Sequence, residues 1–342
     1  MAEQRGLRWG ILGTGNIANQ FAAGVAASRR GRVVAVGSRA TASADAFARP
    51  REIAAAHGSY DALVRDSSVD AVYNSLPNSM HHEWTIKALR AGKHVLCEKP
   101  FASHAAEARE MFDVARQTGR TLVEAFMYRS HPLTKAVVEA VRGGAIGELR
   151  MIRTSFCFRT TKIANNIRFQ PDLAGGVLMD VGCYCVSWAR LMAGEEPSAV
   201  HAVAHQHESG VDDIAIGTLR FPSGVLASFT CGMSVQADNT AYVCGSDGYI
   251  EVPVPWKPPR MRAAYTIARS TPPRMDQAGK PAPAPPPRQT HHVDAPTELY
   301  GMEADDFAAT VFDGAPPAVS EADTIGIMVV LDELRQQVGV AV

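Results

Sequence analysis

The sequence predicts an α/β protein. A doubly wound parallel sheet comes first, and an α+β domain built on an open, mostly antiparallel sheet follows it. Three observations carry this. A Gly-rich loop at 13–18 joins an apolar run to an amphipathic segment. Strand-like and helix-like segments then alternate to about residue 125, the pattern of parallel strands joined by crossover helices. Beyond that, strand-like segments follow one another with tight turns, the pattern of antiparallel neighbours.

In chain order, Leu7 to Leu12 is apolar and predicts a buried strand, and Ile17 to Ala27 has helical periodicity. Further strands are expected at Arg32–Gly37, Asp70–Leu76, Lys93–Cys97 and Thr121–Ala125. Helices are expected at Met80–Ala91 and Ser103–Gln117, the latter capped by Ser103 with Glu107 in its first turns. Gly147–Phe158 is a long strand candidate, and Val177–Met192 a strong helix. Strands are then expected at Ala199–Gln206, Asp213–Phe221, Val225–Cys231, Thr240–Cys244 and Tyr249–Val252, with turns at 221–224 and 245–248. Residues 253–296 are rich in proline, three in a row at 285–287, and are expected to form an extended loop outside the core. Helical patterns at Glu303–Phe312 and Ala322–Val338 close the chain.

At 342 residues the chain is long for a single core, and two domains are expected, 1–125 and 126–342. With 34 basic and 35 acidic residues there is no field to recruit nucleic acid. The polar start, Met1 to Arg8, gives no sign of a signal peptide, and no apolar run reaches membrane-spanning length. The six cysteines form no Cys-x-x-Cys pair, which suits buried thiols in a reducing cytoplasm. His201, His205 and His207 lie near Asp212 and Asp213, but no spacing matches a closed metal site, and no metal is expected.

Gly13, Gly15 and Ala18 fit G-x-G-x-x-(G/A), the fingerprint of a Rossmann dinucleotide site. Gly13 permits the turn, Gly15 lets a pyrophosphate approach the backbone, and Ala18 lets helix and strand pack closely. Thr14, Asn16 and Ile17 complete the loop, whose free N–H groups face the phosphates. An NAD site places a carboxylate about 20 residues beyond the loop. Here the second strand ends in Ser38 and Arg39, a donor and a planar cation suited to a 2′-phosphate. NADP is therefore expected, with NAD possible.

With the later motifs the chain resembles the glucose-fructose oxidoreductase/inositol dehydrogenase/MocA (Gfo/Idh/MocA) family over nearly its whole length. The carriers are Gly-Thr-Gly-Asn-Ile-Ala at 13–18, Leu-Pro-Asn at 76–78 with His81, Gly-Lys-His-Val-Leu-Cys-Glu-Lys-Pro at 92–100, Glu-Ala-Phe-Met-Tyr-Arg at 124–129 with His131-Pro132, and Gly-Gly-Val-Leu-Met-Asp-Val-Gly-Cys-Tyr at 175–184. The resemblance implies Lys99 beside the nicotinamide ring and the substrate oxygen. It implies that Glu98 and Pro100 shape that loop, and that Leu76, Pro77, Asn78 and His81 lie on the cofactor side. Asp180 and the residue four later complete the catalytic group. Many members have His at that last position; here it is Tyr184, as in the branch resembling glucose-fructose oxidoreductase and dimeric dihydrodiol dehydrogenase. The third Gly often found before this helix is Ala174. A homodimer or homotetramer assembled through the open sheet is also implied.

These residues suit proton-coupled hydride transfer. On a helix Asp180 and Tyr184 share one face. Tyr184 can donate its phenol proton, and a nearby Lys99 ammonium is expected to lower the phenol pKa. Arg168, just before the Gly-Gly turn, can reach the substrate. The expectation is an NADP-dependent oxidoreductase acting on a CH–OH group of a sugar, sugar derivative or polyol. A trans-dihydrodiol dehydrogenase-like activity and a biosynthetic keto-sugar reductase are the alternatives among enzymes. A non-catalytic dinucleotide-sensing regulator is the alternative of another class, and the joint presence of Lys99, Asp180 and Tyr184 argues against it.

Overall fold

The computed structural model describes residues 5–269 and 287–340. Apolar β1 (Leu7–Leu12) enters the core at once and turns through the Gly-rich loop into α1 (Asn16–Ala26). Next come β2 (Gly31–Gly37), α2 (Thr41–Ala48), β3 (Ala55–His57), α3 (Tyr60–Arg65), β4 (Ala71–Asn74), α4 (His81–Arg90), β5 (His94–Glu98), α5 (Ala105–Thr118) and β6 (Leu122–Ala125). The six strands are all parallel, in the order β3-β2-β1-β4-β5-β6. The order reverses between β1 and β4, and a ligand crevice opens at the carboxyl ends of the strands at such a reversal. Trp9 and Phe21 meet edge to face at 5.2 Å, and Phe21 stacks on Tyr73, tying α1 to the sheet.

The short α6 (Met127–Ser130) and α7 (Pro132–Arg142) lead to β7 (Leu149–Cys157). A π-helical turn, Leu178–Gly182, runs into α8 (Cys183–Ala193). Then follow β8 (Ala199–Gln206), β9 (Asp212–Arg220), β10 (Leu226–Gly232), β11 (Ala241–Gly245), β12 (Gly248–Val252), β13 (Ala263–Arg269) and β14 (Arg288–Val293). The eight strands lie in the order β14-β13-β12-β11-β7-β10-β9-β8, and among them only the β7–β10 pair is parallel. Finally α9 (Leu299–Asp313) returns to pack on α1, and α10 (Glu321–Gln337) packs against α5, α8 and β8. On α9, Phe307 packs on Trp9, and Asp305 accepts a hydrogen bond from Ser28 at 2.5 Å.

Three expectations are corrected. The Pro-rich stretch is not wholly outside the core. Its prolines flank β13 and β14 without interrupting them, and Ala263 and Ala268 are completely buried. The centre of that stretch, 270–286, lies outside the described residues. The cap of α5 is His104, whose Nδ1 accepts from the Glu107 N–H, while Glu107 accepts in return from the Ser103 N–H. Lastly, the helix expected at Val177–Met192 begins not as an α-helix but as the wider π turn that carries Asp180.

Candidate active site

The Gly-rich loop has the shape of a phosphate cradle. Gly13 has φ +98°, a region that a side chain disfavours, and its N–H is held by Gly37 O at 2.9 Å. A Cβ on Gly15 would meet nothing within 4 Å, so space lies open there. No side chain caps the N-terminus of α1, which leaves its first N–H groups for an anion. Ala18 is completely buried beneath the loop. At the end of β2, Ser38 is buried and Arg39 is exposed, its guanidinium against the Tyr60 hydroxyl. These residues fit a dinucleotide, and Arg39 stands exposed at the end of β2.

Two further loops face this cradle. Leu76 packs beneath Gly13, and Asn78 donates its Nδ2 to Ala174 O at 2.8 Å. Thus the Leu-Pro-Asn loop is tied directly to the segment that precedes the π turn carrying Asp180. His81 is placed differently from expectation. It is completely buried, with Nδ1 2.9 Å from Pro100 O and Nε2 2.8 Å from Leu76 O. Burial pulls its pKa down to about 4. His81 therefore joins the two loops and has no surface to offer a cofactor.

The end of β5 delivers Glu98, Lys99 and Pro100, with a cis peptide between the last two. Glu98 is buried, accepting from the Tyr73 hydroxyl and from the Lys99 N–H at 3.2 Å. Burial raises its pKa, against the pull of the Lys99 charge. Lys99 Nζ donates to Asp180 O at 2.8 Å and lies 3.2 Å from Asp180 Oδ1. On the other side Arg168 Nε donates to Asp180 Oδ2 at 2.5 Å. One carboxylate thus bridges two cations. Burial disfavours the Lys99 ammonium, yet the Asp180 charge outweighs it and the pKa ends above its ordinary value. Burial likewise opposes the Asp180 carboxylate, but Lys99 and Arg168 hold its pKa below the usual range.

Tyr184 lies under this pair. Lys99 Nζ sits 5.2 Å from the centre of its ring, and its hydroxyl points to Met127 Sδ at 3.4 Å. Burial pushes the phenol well above its ordinary pKa, joined by the nearby Glu98 charge, opposite to the lowering expected from Lys99. Rings of Phe126, Phe156 and Trp256 surround it.

Sequence reasoning missed two residues. Asp212, buried on β9, accepts from the Leu178 N–H at 2.7 Å and so holds the start of the π turn. Gly176, with φ +108°, is fixed by this contact, since a Cβ there would lie 2.1 Å from Asp212 Oδ1. The other is Lys257, which feels the charges of Lys99, Glu98, Arg168 and Asp180. It stands in the Pro-rich stretch, where no local signal marked it.

Residues 7–126 match the model of an oxidoreductase family with an NAD-binding Rossmann fold, and residues 134–251 match the GFO/IDH/MocA C-terminal domain. The chain belongs to the Gfo/Idh/MocA oxidoreductase family. It is 34% identical over 331 residues to D-xylose 1-dehydrogenase (NADP(+)) 2 of Haloferax volcanii, covering 96% of this chain and 97% of that one. It is 40% identical over 255 residues to trans-1,2-dihydrobenzene-1,2-diol dehydrogenase of Mus musculus, covering 74% and 76%. Among solved structures, a 3-ketoreductase from Actinomadura kijaniata with NADP and TDP-benzene superposes with a TM-score of 0.85 at 29% identity, over 98% of both chains. Solved variants of that ketoreductase replace one lysine and one tyrosine. Among the described residues no helix is long and apolar enough to cross a membrane.

Proposed function

We propose that this chain moves a hydride between NADP and a CH–OH carbon of a sugar, sugar derivative or polyol, with Lys99 handling the proton of the reacting oxygen. The observation that carries this reading is the Lys99–Asp180–Arg168 arrangement beside the cradle. NADP, when bound, supplies or accepts the hydride. The Gly13–Ile17 loop and the α1 N-terminus would hold the pyrophosphate, Ser38 and Arg39 the adenosine end, and Leu76, Pro77, Asn78 and Pro100 the nicotinamide side.

Lys99 keeps its ammonium through Asp180 and donates to the oxygen in the reducing direction. Asp180 and Arg168 orient it and can hydrogen-bond substrate hydroxyls. Tyr184, held protonated by burial, is a second donor and not a phenolate base. The lysine and tyrosine chosen for substitution in the ketoreductase support the same pair. A cyclic trans-diol is the second reading, favoured by the aromatic wall of Phe156 and Trp256 beside Tyr184.

The test is a screen of aldoses, polyols, keto-sugars and cyclic diols with NADP and with NAD, followed by absorbance of the reduced cofactor. Lys99→Met should lower turnover by roughly 10²–10⁴, as for a lost general acid or base, with NADP binding still measurable. Turnover within a few-fold of wild type removes Lys99 from the proton step.

We also infer a homodimer or homotetramer formed through the open sheet. Val203 and Ile216 are paired across β8 and β9, Leu226 and Met151 across β10 and β7, and all four are exposed on the outer face. Light scattering should give at least twice 36.6 kDa, and a monomer would overturn this. The free cysteines support a reducing, cytoplasmic location.

A further inference from the structure

Two cations stand at this site beyond Lys99. Arg168 uses Nε on Asp180, and among the described residues no other carboxylate lies within ion-pair distance of it. Its guanidinium lies 5.8 Å from the centre of the Phe158 ring. Lys257 has no carboxylate at ion-pair distance among the described residues, yet it is close enough to Lys99, Glu98, Arg168 and Asp180 to feel each charge.

Lys257 is exposed, but it does not stand on a loose segment. It follows Trp256, whose indole N–H donates to Ser155 O at 2.8 Å. The Trp256 ring stacks on Phe156 at 5.6 Å and meets Tyr184 at 5.9 Å. Pro253, Pro255, Pro258 and Pro259 stiffen the backbone on either side. Lys257 therefore leaves a fixed segment next to the ring beneath Lys99.

The charge balance is uneven. Lys99, Arg168 and Lys257 are cationic. Of the two acids, Asp180 is already shared between Lys99 and Arg168, and Glu98 is turned inward to Tyr73 and the Lys99 N–H. Lys257 is open to solvent and to an incoming ligand, and the protein crowded around it, and then the neighbouring Lys99 charge, lower its pKa. An anion placed there would relieve it.

We propose that Lys257 and the free end of Arg168 receive an anionic group on the sugar substrate, a carboxylate or a phosphoryl group, and thereby select the substrate class. This rests on the reading of Lys99 as the proton carrier. The cofactor's pyrophosphate does not fill the role, because on that reading it lies at the Gly-rich loop.

The test compares kcat/KM with NADP for D-glucose, D-glucuronate and D-glucose 6-phosphate, in wild type, Lys257→Met and Lys257→Arg. Wild type should prefer at least one anionic sugar over glucose by tenfold or more. Lys257→Met should reduce that preference about tenfold, and Lys257→Arg should retain it. Preference for glucuronate assigns a carboxylate, and preference for the 6-phosphate a phosphoryl group. Calorimetric titration of both anions into NADP-loaded wild type and Lys257→Met measures the same contact without turnover. Equal kcat/KM for neutral and anionic sugars overturns the proposal. So does a preference unchanged in Lys257→Met, or the lack of any Lys257-dependent anion binding. If none of these sugars is turned over while anion affinity still depends on Lys257, the subsite stands and the sugar-oxidising reading fails; Lys99 is judged separately by Lys99→Met.

Discussion

Replacing Asp180 with asparagine removes one charge and keeps the shape. Asp180 Oδ1 lies 3.2 Å from Lys99 Nζ, and Oδ2 2.5 Å from Arg168 Nε. The Asp180 and Lys99 side chains are each only 13% exposed, so solvent screens the pair little. Hydrogen bonds to charged groups contribute roughly 1.5–3 kcal/mol and neutral ones about 0.5–1.5 kcal/mol. Asparagine keeps one acceptor oxygen and turns an NH2 donor toward the other cation, so one contact is lost and the other weakened, at a cost of about 2–3 kcal/mol in all with Lys99 still bonded to Asp180 O. If that loss falls on the reacting geometry, kcat/KM drops roughly 30- to 160-fold. The pH profile adds a second readout. Burial disfavours the Lys99 ammonium, and the Asp180 charge is what lifts its pKa above the ordinary value. Without that charge the ammonium loses its proton at lower pH. In the alcohol-oxidising direction the proton carrier must first be deprotonated, so the alkaline rise of kcat/KM should move to lower pH while its plateau falls. Steady-state NADP reduction across the neutral and alkaline range measures both effects, with NADP affinity titrated separately. An Asp180→Asn enzyme with wild-type kcat/KM and an unmoved profile would refute the reasoning and make Asp180 a structural acid.

Arg39→Ala should weaken NADP by roughly 1.5–3 kcal/mol and leave NAD almost unchanged, because only NADP carries the extra phosphate; equal losses in fluorescence titrations would remove Arg39 from that role. Asp212→Ala leaves the buried Leu178 N–H unpaired and should cost about 1–3 kcal/mol in urea unfolding, most of it recovered in Asp212→Asn, which keeps an acceptor. Burial pushes the Glu124 carboxyl up from 4.5 to about 8. Between those values the folded chain holds a proton that the unfolded chain has released. Its contribution to stability is therefore full below the unfolded pKa and is lost as pH rises through the folded one, by about 1.4 kcal/mol per pH unit. Glu124→Gln should flatten that slope in urea melts run at several pH values, and an unchanged slope would show that Glu124 is not its source.

The first sheet was legible because each strand is a short apolar run and the Gly-rich loop marks where the first one ends. β3 (Ala55–His57), α2 and α3 left weaker traces, since Ala-Ala-His lacks β-branched residues and Thr41–Ala48 is largely alanine and small polar residues. In the C-terminal domain the proline count hid β13, although Ala-Ala-Tyr-Thr-Ile-Ala has every residue needed for a strand. At the site, Lys99, Asp180 and Arg168 were legible as separate residues, but their shared hydrogen bonds depend on chain segments that lie far apart in sequence. The pKa of Tyr184 was misjudged because it depends on Phe126, Phe156 and Trp256, which exclude water from the phenol. Asp212 and Lys257 left no local pattern, because each matters only through what another strand or helix places beside it.

The Asn78–Ala174 contact has a consequence for how nucleotide and substrate would be coupled. It joins two segments 96 residues apart, one flanking the nucleotide cradle and one leading into the catalytic helix. Ala174 holds a left-handed backbone, φ 54°, which costs an alanine roughly 1–2 kcal/mol, so the turn does not keep this shape for free. On the proposed reading, a nucleotide held against Asn78 would also restrain Ala174 through this bond, so that ordering one segment orders the other. Linkage would make the effect mutual, each ligand tightening the other by the same factor.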